Sequence, residues 1–221
     1  MPGFQSLDQV DVDGKRVLFR VDINAPIHDG KVTDDTRIRA IVPTVREILD
    51  KGGHPILLAH RGRPKGEPNP ELSLDVLQQP LADALGAPVR LAVPADGWPQ
   101  THWEVCAIAP GQGVLLETES FYSGEEANDP TFSEELSSLC DIYVYDAFSV
   151  SHRAHASTVG VANLLPSDAV RLMEAELTAL EKARSAPDLP VIGVVGGAKV
   201  STKLDLLANL IEKVDLIIIG G

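Results

Sequence analysis

Positive charge is scarce. Lys and Arg number 19 against 32 Asp and Glu, a formal net charge of -13 in 221 residues. Nucleic acid is bound chiefly through its phosphates, so this balance excludes a generic nucleic-acid binder and disfavours an anionic membrane surface. No apolar run approaches the roughly 20 residues that span a bilayer. The opening stretch, Met1-Pro-Gly-Phe-Gln-Ser6, has neither a basic start nor an apolar stretch, so no secretory signal is expected. Cysteine is limited to Cys106 and Cys140, too few for a disulfide framework. Two reduced thiols in a cytoplasmic protein are expected. Aromatic residues are only 5% of the chain, and the regions of Trp98, Trp103 and Tyr122 lack interleaved basic residues. A stacking surface for single-stranded nucleic acid is therefore not expected.

Short apolar runs alternate with amphipathic ones. Arg16–Asp22, Pro55–Ala59, Gly113–Leu116, Asp141–Tyr145, Val191–Val195 and Val214–Ile219 read as strands. Several are apolar on successive residues, which suits strands covered on both faces. Between them, Thr36–Lys51 carries Ile38, Ile41, Val42, Val45, Ile48 and Leu49 at helical spacing and stops at Gly52-Gly53. Ser73–Leu85 has Leu74, Leu77, Leu81 and Leu85 on one face, with a kink or break expected at Pro80. Pro130–Leu139, Asp168–Arg184 and Ser201–Lys213 complete the helical segments. The alternation predicts an α/β fold with a mainly parallel, doubly wound, Rossmann-like sheet. Ser185-Ala-Pro-Asp-Leu-Pro190 reads as a linker. Beyond it lies a single strand–helix–strand unit, which cannot cover both faces of its own strands, so an incomplete second α/β domain is expected.

Ligands in such sheets sit beyond the carboxyl ends of the strands. There the sequence puts Asp22-Ile-Asn24, His60-Arg-Gly-Arg-Pro-Lys65, Glu117-Thr-Glu-Ser120, Asp146–His155 and Gly196-Gly-Ala-Lys199. From Leu91 to His152 no Lys or Arg occurs while 11 acids do. Against that background His60, Arg61, Arg63, Lys65 and Arg153, with Arg37 at a helix start, are expected to converge on one edge. Guanidinium groups bind carboxylate and phosphate bidentately, which points to a small anionic substrate rather than a polymer. Solvated pairing of these arginines with the many acids is the other reading left open by spacing alone. Gly196–Lys203 follows a strand and opens a helix, a place where backbone N–H groups and the helix dipole favour an anion. A tight turn with two surface lysines is equally compatible with it. His152 and His155 lack a third ligand, so no metal site is expected. Glu125, Glu126 and Asp129 read as a solvated turn.

In order, these blocks resemble phosphoglycerate kinase. The family's R-V-D-x-N-x-P is met by Arg20–Pro26, its D-D-T-R-I-R by Asp34–Arg39 and its H-x-G-R-P-K-G by His60–Gly66. Asp146–Thr158 meets D-A-F-x-x-x-H-R-x-H-x-S-T. Leu172–Leu177 meets L-M-E-x-E-L, and Gly196–Val200 meets G-G-A-K-V. The resemblance implies reversible phosphoryl transfer between 1,3-bisphosphoglycerate with ADP and 3-phosphoglycerate with ATP, a step of glycolysis. It implies a triose-binding N-terminal domain at residues 1–167, an inter-domain helix at 168–186 and the start of a nucleotide-binding domain at 187–221. Asp22, Asn24, Arg37, His60, Arg63 and Arg153 would hold 3-phosphoglycerate. Arg37 and Lys199 would serve the transfer, and Gly196, Gly197, Lys199 and Lys203 would meet the phosphates of Mg-ATP or Mg-ADP. The rest of that domain, or a partner chain supplying it, would be needed for turnover.

The pattern departs at one anion contact. Where the family has L-L-E-N-x-R-F, this chain reads Leu115-Leu-Glu-Thr-Glu-Ser-Phe121, so Ser120 replaces an arginine. Loss of one bidentate guanidinium costs on the order of 1.5–3 kcal/mol, or about 10- to 100-fold in affinity. A non-catalytic relative binding a phospho-acid or a protein partner is the alternative expectation.

Overall fold

The computed structural model describes residues 7–64, 66–94, 105, 107–169, 171–185, 188–196 and 204–220. The chain divides into two compact units, residues 1–175 and 176–221. In the first, the strands are β1 (Arg16–Val21), a small hairpin of β2 (Ile27–His28) and β3 (Lys31–Val32), β4 (His54–Leu58), β5 (Val89–Ala92), β6 (Gly113–Leu116), β7 (Ile142–Asp146) and β8 (Ser167–Ala169). Six of them form one sheet in the order β5-β6-β4-β1-β7-β8, every pair parallel. The parallel, doubly wound α/β architecture expected from the sequence is the one the chain adopts.

Alternate side chains of the central strands feed two different cores. Val17, Phe19 and Val21 of β1 pack with Ile38, Ile41, Val45 and Ile48 of α1 (Thr36–Asp50) and with Leu77, Leu81 and Leu85 of α2 (Asp75–Leu85). Leu18, Ile56, Leu58 and Tyr143 face the opposite layer, with Phe132 and Leu136 of a helix at Pro130–Ser138 and Val161 of another at Val161–Leu164. This period-two division explains the near-continuous apolar runs: each residue of a central strand has a helical layer to face. The Pro130–Ser138 helix is α4, the short turn before it at Ser123–Glu126 is α3, and Val161–Leu164 is α5.

Neither proline inside a helix interrupts it. Of the kink or break expected at Pro80, no break occurs: α2 runs through it, as α1 runs through Pro43. The carbonyls that each proline leaves unbonded belong to Arg39 and Val76. Both residues line the same solvent-open groove of about 1250 Å³ between the β2–β3 hairpin, α1 and α2.

From β1 the chain steps through β4, β5 and β6 on one side, then crosses to β7 and β8 on the other. The order therefore reverses beside β1, so the carboxyl ends of β4, β1 and β7 lie where sheets of this kind bind ligands. A helix at Arg171–Ser185, α6, runs through the point where contacts divide the two units. The second unit contains β9 (Ile192–Val195), α7 (Leu204–Ile211) and β10 (Leu216–Ile219), with the strands parallel. Its two-stranded sheet leaves Ile192, Val194, Ile218 and Ile219 exposed.

Candidate functional site

Asp22 is the first residue beyond β1, where the chain leaves the sheet. Its Oδ2 accepts a hydrogen bond from Arg37 Nη1 at 2.5 Å and another from Ser149 Oγ at 2.6 Å. Its Oδ1 accepts the Asn24 backbone N–H at 3.1 Å, which folds the Asp22–Asn24 turn over the strand end. Burial works to raise this carboxyl. The Ser149 and Asn24 hydrogen bonds and the Arg37 charge outweigh it and hold Asp22 below the usual carboxylate range. Asp22 thus joins three segments: the end of β1, the first turn of α1 and the loop after β7.

His60 follows β4. Its Nδ1 lies 3.2 Å from Arg20 Nη2. Burial lowers the imidazole first, then the Arg20 charge; Arg153 and Arg37 push the same way while Asp22 opposes, leaving it at about 4. Apart from Arg20, the charges that act on His60 are those of residues expected to share its site. Asp22 holds Arg37 directly, and the Arg37 and Arg153 charges act on His60, so groups from three strand ends and the first turn of α1 meet at the carboxyl edge. With its value at about 4, His60 is uncharged at neutral pH, so the cluster's positive charge comes from guanidinium groups.

The surroundings of the other expected members differ. Arg61 turns away: its Nη1 donates to the Ser73 carbonyl at 2.7 Å, and it lines a separate cleft of about 800 Å³ with Glu117, Tyr122 and Phe121. It therefore supports the chain ahead of α2 and does not join the anion cluster. Arg63 is exposed, and among the described residues it makes no hydrogen bond or ion pair. Asn24 is half-buried within the turn that Asp22 ties. Ser120, at the departure from the family pattern, is half-buried, and its carbonyl accepts the Gly66 N–H at 3.2 Å. Gly196 is exposed just after β9. Lys65, Gly197, Lys199 and Lys203 lie outside the described residues. Among the described residues no three His, Cys, Asp or Glu side chains are grouped to hold a metal ion.

Two acids expected in solvent, or simply at the strand ends, are buried instead. Glu117 takes the Ser73 hydroxyl at 2.5 Å and the Leu74 and Thr118 N–H groups at 2.8 Å each, which anchors the start of α2. Glu125, expected in a solvated turn, is 1% exposed. It accepts the Ser157 hydroxyl at 2.6 Å and the Ser157 N–H at 2.9 Å, and His155 Nδ1 stands 3.5 Å away. Asp129, from the same turn, caps α4 by accepting the Phe132 N–H. No local pattern marks Glu125, because its partner is 32 residues away and the two meet only in the fold. Asp146, at the end of β7, accepts the Met173 N–H at 2.7 Å and so ties β7 to the first turn of α6.

A family model described as phosphoglycerate kinase matches residues 7–221. The phosphoglycerate kinase of Ruegeria sp. (strain TM1040) is 58% identical over 219 residues, covering 99% of this chain and 55% of that protein. That of Novosphingobium aromaticivorans is 54% identical over 219 residues, covering 99% of this chain and 54% of that one. Among solved structures, phosphoglycerate kinase from Coxiella burnetii superposes with a TM-score of 0.86 at 38% identity, covering 99% of this chain and 55% of that one. The enzyme from Pyrococcus horikoshii OT3 gives 0.86 at 31% identity, covering 97% and 55%. The chain spans about half the length of the relatives it matches.

Proposed function

The chain belongs to the phosphoglycerate kinase family, and from that premise we propose that the cluster beyond β1, β4 and β7 binds 3-phosphoglycerate as the acceptor half of a phosphoglycerate kinase. The observation that carries this reading is the Asp22 node. One carboxylate, held ionised, fixes Arg37 at 2.5 Å beside a neutral His60 and within the field of Arg153. Arg37 is half-exposed, so most of its donor fork stays open to a ligand. Asp22 keeps that fork aimed and, through Ser149, fixes the loop that carries Arg153. Asn24 and the His60 imidazole add neutral polar groups, and Arg63 reaches the ligand from the exposed loop.

Phosphoryl transfer needs in-line positioning and neutralised charge more than a side-chain nucleophile, which is what a cluster of this composition supplies. Arg37 would serve the transfer as well as binding. Mg-ATP or Mg-ADP would be the second substrate, met by Gly196, Gly197, Lys199 and Lys203. On this reading residues 1–167 are the triose-binding domain, 168–186 the inter-domain helix and 187–221 the start of the nucleotide-binding domain. The remainder of that domain, in cis or from a partner chain, is required for turnover, and the protein is cytoplasmic. Among the described residues no helix is long and apolar enough to cross a membrane.

Calorimetric titration with 3-phosphoglycerate tests the reading. Binding is expected, weakened at least tenfold by Arg37→Ala and strengthened by Ser120→Arg. Absence of binding in the parent and in Ser120→Arg would overturn it.

A further inference from the structure

Arg20 occupies a core position. It follows Leu18 and Phe19 on β1, and by alternation it faces the layer of Leu18 and Tyr143. A charged side chain at 2% exposure needs a reason. Its Nη1 donates to the Val21 carbonyl at 2.8 Å and the Leu58 carbonyl at 3.3 Å. Its Nε donates to Ser157 Oγ at 3.1 Å, and that hydroxyl donates onward to Glu125 at 2.6 Å. Tyr143 OH donates to the Ser157 carbonyl and fixes the same residue from a third side. The guanidinium is thus locked by β1, β4 and the turn at Ser157, and through Ser157 it is linked to Glu125, whose carboxyl burial pushes up and the Arg20 charge pulls down. Its Nη2 lies 3.2 Å from His60 Nδ1.

A guanidinium has no acceptor and does not release a proton in proteins. Wherever it bonds an imidazole nitrogen, that nitrogen must offer its lone pair, and a neutral ring then carries its proton on the other nitrogen. We propose that Arg20 is a positioning residue: the buried chain Glu125–Ser157–Arg20 fixes His60 in the Nε2–H tautomer, so that the acceptor site holds an oriented neutral donor instead of a cation. The idea deepens the 3-phosphoglycerate reading by assigning His60 a hydrogen bond to the ligand rather than a charge. The tautomer itself is a property of the ligand-free chain. Around the ring stand Arg20, Arg153 and Arg37 on the cationic side and Asp22 on the anionic side, and together with burial they hold it neutral.

The test is long-range ¹H–¹⁵N correlation of the histidine rings in the full chain, with His60→Gln identifying the His60 signals. The expected spectrum shows an unprotonated Nδ1 and a protonated Nε2 on His60, unchanged from pH 8 to pH 5. Arg20→Met alone would leave Glu125 buried without its cation, so Arg20→Met is combined with Glu125→Gln, with folding checked by circular dichroism. In that variant His60 should sample both tautomers and its titration should move up from about 4, burial and the Arg153 and Arg37 charges remaining, and 3-phosphoglycerate affinity should fall about five- to tenfold, the scale of one hydrogen bond. Arg20→Lys, which restores a donor without the fork, should recover the tautomer in part. An Nδ1–H ring or an imidazolium at pH 6 in the parent chain would overturn the proposal, as would a folded double variant with the tautomer unchanged. A locked tautomer in a chain that fails to bind 3-phosphoglycerate would sink the substrate reading and leave the positioning role standing.

Discussion

Asp146 offers a direct check on the electrostatics of the fold. The carboxyl sits at the end of β7, 1% exposed, and its Oδ1 accepts the Met173 N–H. Among the described residues its Oδ2 has no hydrogen-bond partner. Burial therefore dominates: it raises the group to about 6 from the 3.8 of a free aspartate, even though the Met173 and Leu172 N–H groups at the start of α6 pull it down. The folded chain then holds this proton more tightly than the unfolded chain does. The associated stability is fully present below about pH 3.8 and is lost as pH rises through about 6. With 1.36 kcal/mol per unit, the loss is about 3 kcal/mol by pH 8. In Asp146→Asn the side chain stays neutral and still offers an oxygen to Met173, so this pH dependence vanishes. Urea unfolding of both proteins from pH 4 to pH 8, read by tryptophan fluorescence, isolates the effect, because other titrating groups cancel in the difference. The variant should gain about 2.5 kcal/mol relative to the parent across that range. A difference flat with pH, or one of opposite slope, would refute the account of a buried carboxylate left half-satisfied.

Other perturbations have equally definite outcomes. Glu117→Ala strips acceptors from the Ser73 hydroxyl and from the Leu74 and Thr118 N–H groups; it should destabilise the first unit by about 3 kcal/mol, measured by urea unfolding. Cys140 is buried, and burial pushes its thiol up to about 12. In a Cys106→Ser background it should react with a thiol reagent at pH 8 only after denaturant is added. The open faces of β9 and β10, with Val194 72% and Ile219 62% exposed, should bind a hydrophobic dye, and substituting both residues by Thr should lower the signal.

Much of the fold was legible because the central strands β1, β4, β6 and β7 lie between two helical layers, and the continuous apolar runs that this requires are easy to see. β5 and β8 were not legible. They are the edges of the sheet, and a four-residue Val-Arg-Leu-Ala and a three-residue Ser-Asp-Ala carry too little periodicity to stand out. At Pro80 the sequence pattern alone could not tell a kink from a break, and the helix continues through it. At the site, the motif blocks pointed to Asp22, Arg37, His60 and Arg153. They could not separate Arg61, whose guanidinium is claimed by the Ser73 carbonyl, from its neighbours in the same basic run. Nor could local pattern tell that Glu125 is buried, or that His60 is neutral. Both depend on Arg20 and Ser157, which reach these positions from 137 residues apart.

The most direct measurement is a backbone amide shift map of the full chain titrated with 3-phosphoglycerate. The account predicts saturable shifts concentrated at residues 22–24, at Arg37 and His60 and over 149–153, with the cleft around Arg61 and Glu117 unmoved. Shifts centred on that cleft, or no saturable change at the carboxyl ends of β1, β4 and β7, would contradict it.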